Sequence, residues 1–300
     1  MKNNLLLVLA LLFGIGGYSQ LLESHKGFQN QGGNFFNSDF IKKNRIKTIT
    51  GKISFKREMQ PIRRNGTVEQ YSFDRNGQLI ERLKTFKMRG GQIDTTQDYF
   101  KYNDLEHLVS QTTYTLSGYN SVRYRYNENG NPTQESFFRG ENKSPNSYEL
   151  QKGQETLLKN EEFQYDVISD SSLKKVYLNS VGKPYKETII NTNRLGQKES
   201  ELTRYYLTNK KASITYKYDL QGRLIKIIDY SNLLGVQTIT YTYEYDEFDN
   251  LYSSKIYKNG KLTRSEEFIY FVQTFLLKAQ LSKNESDNSI KIIQYSYEYY

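Results

Sequence analysis

Apolar and polar residues alternate with a period of two along most of this chain. Tyr241, Tyr243 and Tyr245 fall on one side of an extended backbone, with Thr240, Thr242 and Glu244 on the other. Tyr295, Tyr297 and Tyr299 repeat the arrangement against Ser296 and Glu298. The alternation belongs to a phrase that recurs about every 26 residues and is anchored on an Asp or Asn in seven of nine copies. The anchor positions are Asp74, Asn103, Asn127, Asp166, Asn193, Asp219, Asp246, Phe271 and Tyr300. Their spacings run from 24 to 29 except for one of 39, which holds the polar stretch 141–160 and reads as a loop insertion. The residues one and three before the anchor are both aromatic in every copy but the one at Asn193, as in Tyr71/Phe73, Tyr216/Tyr218 and Tyr243/Tyr245.

Each doublet is followed by a turn. An Asp or Asn side chain caps the backbone two residues on, and Gly77, Gly130, Gly196 and Gly222 supply positive φ. A leucine five after the anchor (Leu79, Leu108, Leu224, Leu251, Leu276) opens a return strand. Each repeat is therefore predicted to be one antiparallel β-hairpin. The expected fold is all-β: about eight hairpins forming one strongly curled or spiral sheet with its aromatic face inward. An isolated hairpin is marginal in water, so each unit must pack on its neighbours.

The domain plan follows. Residues 1–19 (MKNNLLLVLALLFGIGGYS) carry a charge, a short apolar run and a small-residue exit, and read as a signal peptide. Residues 20–45, rich in Asn, Gln and Gly, read as a flexible N-terminal arm. Residues 46–300 form the repeat domain, with 46–55 as a first strand pair. Beyond the leader no stretch is long and apolar enough for a transmembrane helix, so the mature chain is expected in the periplasm, at the cell surface or secreted.

Composition removes several chemistries. With no Cys there is no disulfide framework, thiolate metal site or thiol nucleophile, and two His are too few for a His-rich centre. Neither cofactor nor metal is expected. The net charge of +9 with 27 Tyr invites a nucleic-acid reading, but the Tyr are repeat-periodic and the basic residues scattered, so nucleic acid is not expected as a partner. The adjacent carboxylates Glu161-Glu162 and Glu266-Glu267 point to opposite faces of a strand and do not converge, so no enzyme is expected.

The segment Tyr216-Lys-Tyr218-Asp219-Leu-Gln-Gly222-Arg223-Leu224 resembles the signature of the Rhs, or YD-repeat, family, with Tyr71–Leu79 and Tyr243–Leu251 as looser matches. The resemblance implies a curled β-sheet shell and carbohydrate binding, although the period here is longer than that family's. Ile256-Tyr257-Lys-Asn259-Gly260-Lys261-Leu262 is similar, more weakly, to MORN-like hairpin repeats. The expected function is a non-enzymatic binding or structural module of the envelope, contacting glycan or another envelope protein. Its candidate ligand-binding ladder is Tyr216, Tyr218, Tyr243 and Tyr245, weighed against plain core packing for the same four rings. Two alternatives are an envelope polysaccharide hydrolase and an outer-membrane β-barrel. In such a barrel mid-strand charges such as Lys217 and Glu244 could face only a lumen.

Overall fold

The structure is a computed structural model and describes residues 21–22, 36–115, 118–144 and 151–300. The expected signal peptide lies outside the described residues. A short helix, α1 (Ser38–Lys43), precedes β1 (Ile46–Lys56), β2 (Arg63–Phe73), β3 (Leu79–Lys87), β4 (Ile93–Tyr102), β5 (Leu108–Thr115) and β6 (Gly118–Tyr126). Then come β7 (Pro132–Asn142), β8 (Lys152–Ser169), β9 (Ser172–Leu178), β10 (Pro184–Thr192), β11 (Lys198–Tyr205) and β12 (Lys211–Tyr218). The wall finishes with β13 (Leu224–Ser231), β14 (Gln237–Tyr245), β15 (Leu251–Lys258), β16 (Lys261–Tyr270), β17 (Leu277–Asn284) and β18 (Ser289–Tyr299).

Every strand pairs antiparallel with its sequence neighbours, and β1 pairs antiparallel with β18 from Ile46↔Tyr299 to Lys56↔Ile290. The sheet therefore closes into an 18-stranded up-and-down barrel rather than the curled or spiral array expected. Closure removes both exposed edges, which an open sheet of this size would have to protect. At the seam the Gly51 Cα lies where an added Cβ would meet Ile293 Cγ2 at 2.6 Å, so this glycine admits a close approach of β1 and β18 side chains. The segment 46–55 is one strand and not the strand pair expected, because Gly51 continues the extended backbone instead of turning.

Seven connections share one geometry. The anchor side-chain Oδ1 accepts from the backbone N–H groups two and four residues on, as Asp219 does from Gln221 and Arg223 at 3.0 and 2.8 Å. Asp74, Asn103, Asn127, Asn179, Asn193 and Asp246 do the same. The residue three after each anchor has positive φ, including the non-glycines Glu106 (62°) and Asp249 (66°). Asp166 is not such an anchor. It lies inside the long strand β8, paired with Lys174, and the turn follows at Asp170-Ser171. The stretch 141–160 expected as a loop insertion is corrected: residues 141–142 end β7 and 152–160 begin β8, so the interval of 39 reflects lengthened strands.

The aromatic doublets face inward, both members on the same side: Tyr216 packs with Tyr218, Leu224, Ile227 and Tyr243. A larger core joins Tyr71, Phe73, Phe100, Phe268 and Tyr295 to Ile41 and Phe40 of α1 and to Leu21, Leu22 and Phe36. The described part of the stretch expected as a flexible arm is therefore packed at the end of the barrel where β1 begins. Gly77 sits directly beneath α1, where an added Cβ would collide with the Ser38 carbonyl oxygen.

The opposite face of the strands looks outward and is mixed, with Leu83, Tyr99, Tyr114, Phe138, Leu202, Ile228 and Ile292 standing among polar and charged residues. Lys52, Gln97, Arg123, Asn160 and Lys255 stand mid-wall among Thr and Ser, out of phase with the inward rings. Lys217 and Glu244 also point outward, Lys217 directly opposite Lys226 and Glu244 3.3 Å from Lys255. The expectation that these two charges would line a lumen is corrected by the register. Among the described residues no helix is long and apolar enough to cross a membrane.

Candidate functional site in the barrel lumen

Three inward positions of each repeat build the lumen. The first, one residue before the anchor in six copies and three before it in the last, is a tyrosine whose hydroxyl donates to the carbonyl of the first residue of the neighbouring odd-numbered strand. Tyr102 reaches Leu79, Tyr126 reaches Leu108, Tyr165 reaches Pro132, Tyr218 reaches Lys198, Tyr245 reaches Leu224, Tyr270 reaches Leu251 and Tyr297 reaches Leu277, at 2.7–3.0 Å. Strands such as β3 and β4, whose connection lies at the other end of the barrel, are thereby tied at this end. The second position is the other member of the doublet and fills the space between these tyrosines.

The third position, five before the anchor numbering, is a carboxylate in four copies: Glu69, Asp98, Glu161 and Glu266. Each is held. Asp98 forms a buried pair with Arg82 at 2.6 Å and accepts from Thr113 at 2.5 Å. The Tyr295 hydroxyl lies 3.1 Å from Glu69, Glu161 accepts from Tyr185, and Glu266 accepts from Ser254 and Ser282. Burying a charge is tolerated only with such compensation.

Lumenal cations answer the carboxylates. A cavity of about 910 Å³ is lined by Glu69, Arg82, Lys84, Asp98, Glu135 and Lys291 together with Tyr124 and Phe137. A second of about 480 Å³ shares Glu69, Lys84 and Lys291 and adds Arg264 and Glu266. Burial lowers the Lys84 ammonium from its ordinary value. On the β8–β10 wall, Lys175 Nζ lies 3.5 Å from the Phe163 ring centre and Lys186 Nζ 3.7 Å from that of Tyr177. Desolvation there pulls Lys175 down to about 8. Glu135 is the register partner of Glu161, so two carboxylates stand side by side on the inner wall. Desolvation raises Glu135, while hydrogen bonds from Tyr185 and Lys159 outweigh desolvation and lower Glu161.

The four tyrosines singled out from the sequence all lie on the lumenal face. Tyr216 is buried and donates to Glu201 at 2.8 Å, and Tyr218 and Tyr245 belong to the hydroxyl-to-carbonyl series. Burial raises the Tyr218 and Tyr243 phenols above their ordinary value. Sequence reasoning missed the carboxylate position and the Glu135–Glu161 neighbours. Extending the period-2 count one step before each doublet finds the first. The second needs the pairing of β7 with β8. No group of three His, Asp or Glu that could hold a metal ion lies together among the described residues.

No family model matches this chain, and no curated protein does either. It is similar to solved structures of two porin-like proteins. The one from Bacteroides uniformis is 13% identical with a TM-score of 0.37, covering 85% of this chain and 97% of that one. The one from Bacteroides vulgatus is 10% identical with a TM-score of 0.36, covering 84% and 98%. A LolA superfamily protein from Nitrosomonas europaea is 6% identical with a TM-score of 0.23, covering 86% and 89%. The resemblance to YD repeats and to MORN-like repeats is overturned: no family model matches the chain, and the sheet closes on itself into a barrel. The repeated phrase marks the hairpins of a closed wall.

Proposed function

We propose that this protein is an exported envelope β-barrel whose lumen holds a polar, carbohydrate-like ligand. The observation that carries this is the layering of the inner wall: buried aromatic rings at one end, then carboxylates and ammonium groups around connected cavities. Sugars offer both hydroxyl donors and acceptors and apolar ring faces, and a wall alternating charged groups with Tyr and Phe meets both. Titration calorimetry against an oligosaccharide panel tests the reading. Lys84→Glu, in both cavities, is expected to abolish binding, while Lys226→Glu on the outer face keeps it. Equal binding by both variants, or none by the wild type, overturns the proposal.

The closed meander favours a second reading, a barrel seated in the outer membrane. The outward cations support the first, although apolar residues such as Leu202 and Ile292 share that face: a mid-wall Lys or Arg facing lipid costs about 2–4 kcal/mol, and Lys52, Arg123 and Lys255 all face out. On the first reading the mature chain stays monodisperse without detergent and opens no conductance in planar bilayers. Detergent-dependent solubility with conductance decides for the second.

A further inference from the structure

We propose that the barrel docks on an anionic lipid bilayer through the rim built by the connections that follow odd-numbered strands. In an up-and-down wall those connections share one end and the even-numbered ones share the other. Among the described residues, the odd-strand connections with their flanking strand residues carry twelve Lys and Arg against three carboxylates. The even-strand connections, counted the same way, carry four cations against nine carboxylates. Asp39, Lys42, Lys43 and Arg45 at that second end leave it acidic. The basic excess of the chain is thus concentrated on one rim, a segregation the scattered sequence positions conceal.

The same rim projects apolar tips into solvent: Met59 is 99% exposed, Leu207 93% and Leu234 101%. Exposed tips such as Leu220 occur on the acidic rim too, so charge selects the end. Cations around projecting apolar side chains match an anionic lipid surface, where phosphates attract the charges and the tips enter the boundary between headgroups and acyl chains. An anionic polysaccharide would answer the cations and leave the tips without a role. Docked this way, the barrel axis stands on the bilayer with the acidic, helix-covered end away from it. The inference goes beyond lumenal binding and fails separately from it, since its readout is lipid and not glycan.

The test is flotation of the mature chain with vesicles of phosphatidylcholine alone or with about a third phosphatidylglycerol. The wild type is expected to float only with the anionic vesicles and to be released by about 0.5 M salt. The variant R57E/R89E/K210E is expected to lower partitioning at least about a hundredfold, each cation contributing about fivefold near such a surface. The matched reversal D104K/E128K/E247K on the acidic rim is expected to stay within about twofold. M59S/L207S/L234S is expected to weaken vesicle binding about tenfold or more while leaving retention on a sulfated polysaccharide resin unchanged. Thermal melts by circular dichroism verify that each variant folds. Equal flotation with both vesicle types, absence of flotation, or unchanged vesicle binding by the serine variant overturns the proposal, the last in favour of a polysaccharide.

Discussion

A tyrosine one residue before a turn performs two tasks here, because its ring fills the lumen end and its hydroxyl closes a bond to the adjacent strand. Phenylalanine keeps the first and loses the second. Tyr245→Phe is expected to cost about 0.5–1.5 kcal/mol in urea unfolding by freeing the Leu224 carbonyl, whereas Tyr252→Phe on the outer face, which loses only an exposed hydrogen bond to Glu244, costs less. Lys175 shows the opposite economy, a charge retained against desolvation on an aromatic floor. Its amine titrates near 8, against about 10.4 for an unfolded lysine. Between those values the unfolded chain binds the additional proton, so this group makes stability rise with pH across that window. Lys175→Met should flatten the rise, seen as a smaller difference between urea midpoints at about pH 7.5 and pH 9.5. An unchanged difference refutes the assignment.

At the scale of the element, the turn is set by its anchor and by the positive φ three residues later. Gly77 and Gly222 share that conformation at +81° and +80° but have different surroundings. Gly222→Ala meets nothing nearer than Gln197 Nε2 at 3.5 Å and should cost about 1–2 kcal/mol from backbone strain alone. Gly77→Ala carries the same strain and also collides with the Ser38 carbonyl, so it should lower the melting temperature further and raise hydrogen exchange in α1. Equal effects of the two variants would mean that α1 does not rest on this turn.

For the whole molecule, the decisive contact is the seam between β1 and β18. The chain has no Cys, so a single engineered pair reports on closure without competing thiols. Thr50 and Ser296 are direct register partners across the seam. Thr50→Cys with Ser296→Cys is expected to form a disulfide under mild oxidation, giving faster migration on a non-reducing gel, whereas an open spiral would hold these residues too far apart. The seam also joins the two terminal parts of the wall, so strand and charge order around the ring depend on it.

Much of this architecture is local and therefore legible in the chain. Period-2 alternation, the aromatic doublet and the Asp/Asn–Gly turn each concern residues within a few positions of one another, and they identify hairpins and the face that is buried, though the count of about eight falls one short of the nine that 18 strands make. Asp166 misleads because its neighbours imitate the anchor phrase while β8 runs on past it. Which side of the wall meets solvent in bulk, and so where Lys217 and Glu244 point, depends on the direction of curvature. The apposition of Glu135 and Glu161 depends on cross-strand register, and the sorting of basic and acidic connections depends on which end each one reaches. Closure belongs to the same class, since β1 and β18 are neighbours only after all the intervening hairpins have added their twist. Local patterning specifies each hairpin's two faces, whereas the lumen, the seam and the two unlike rims arise from summing curvature and register over the entire ring.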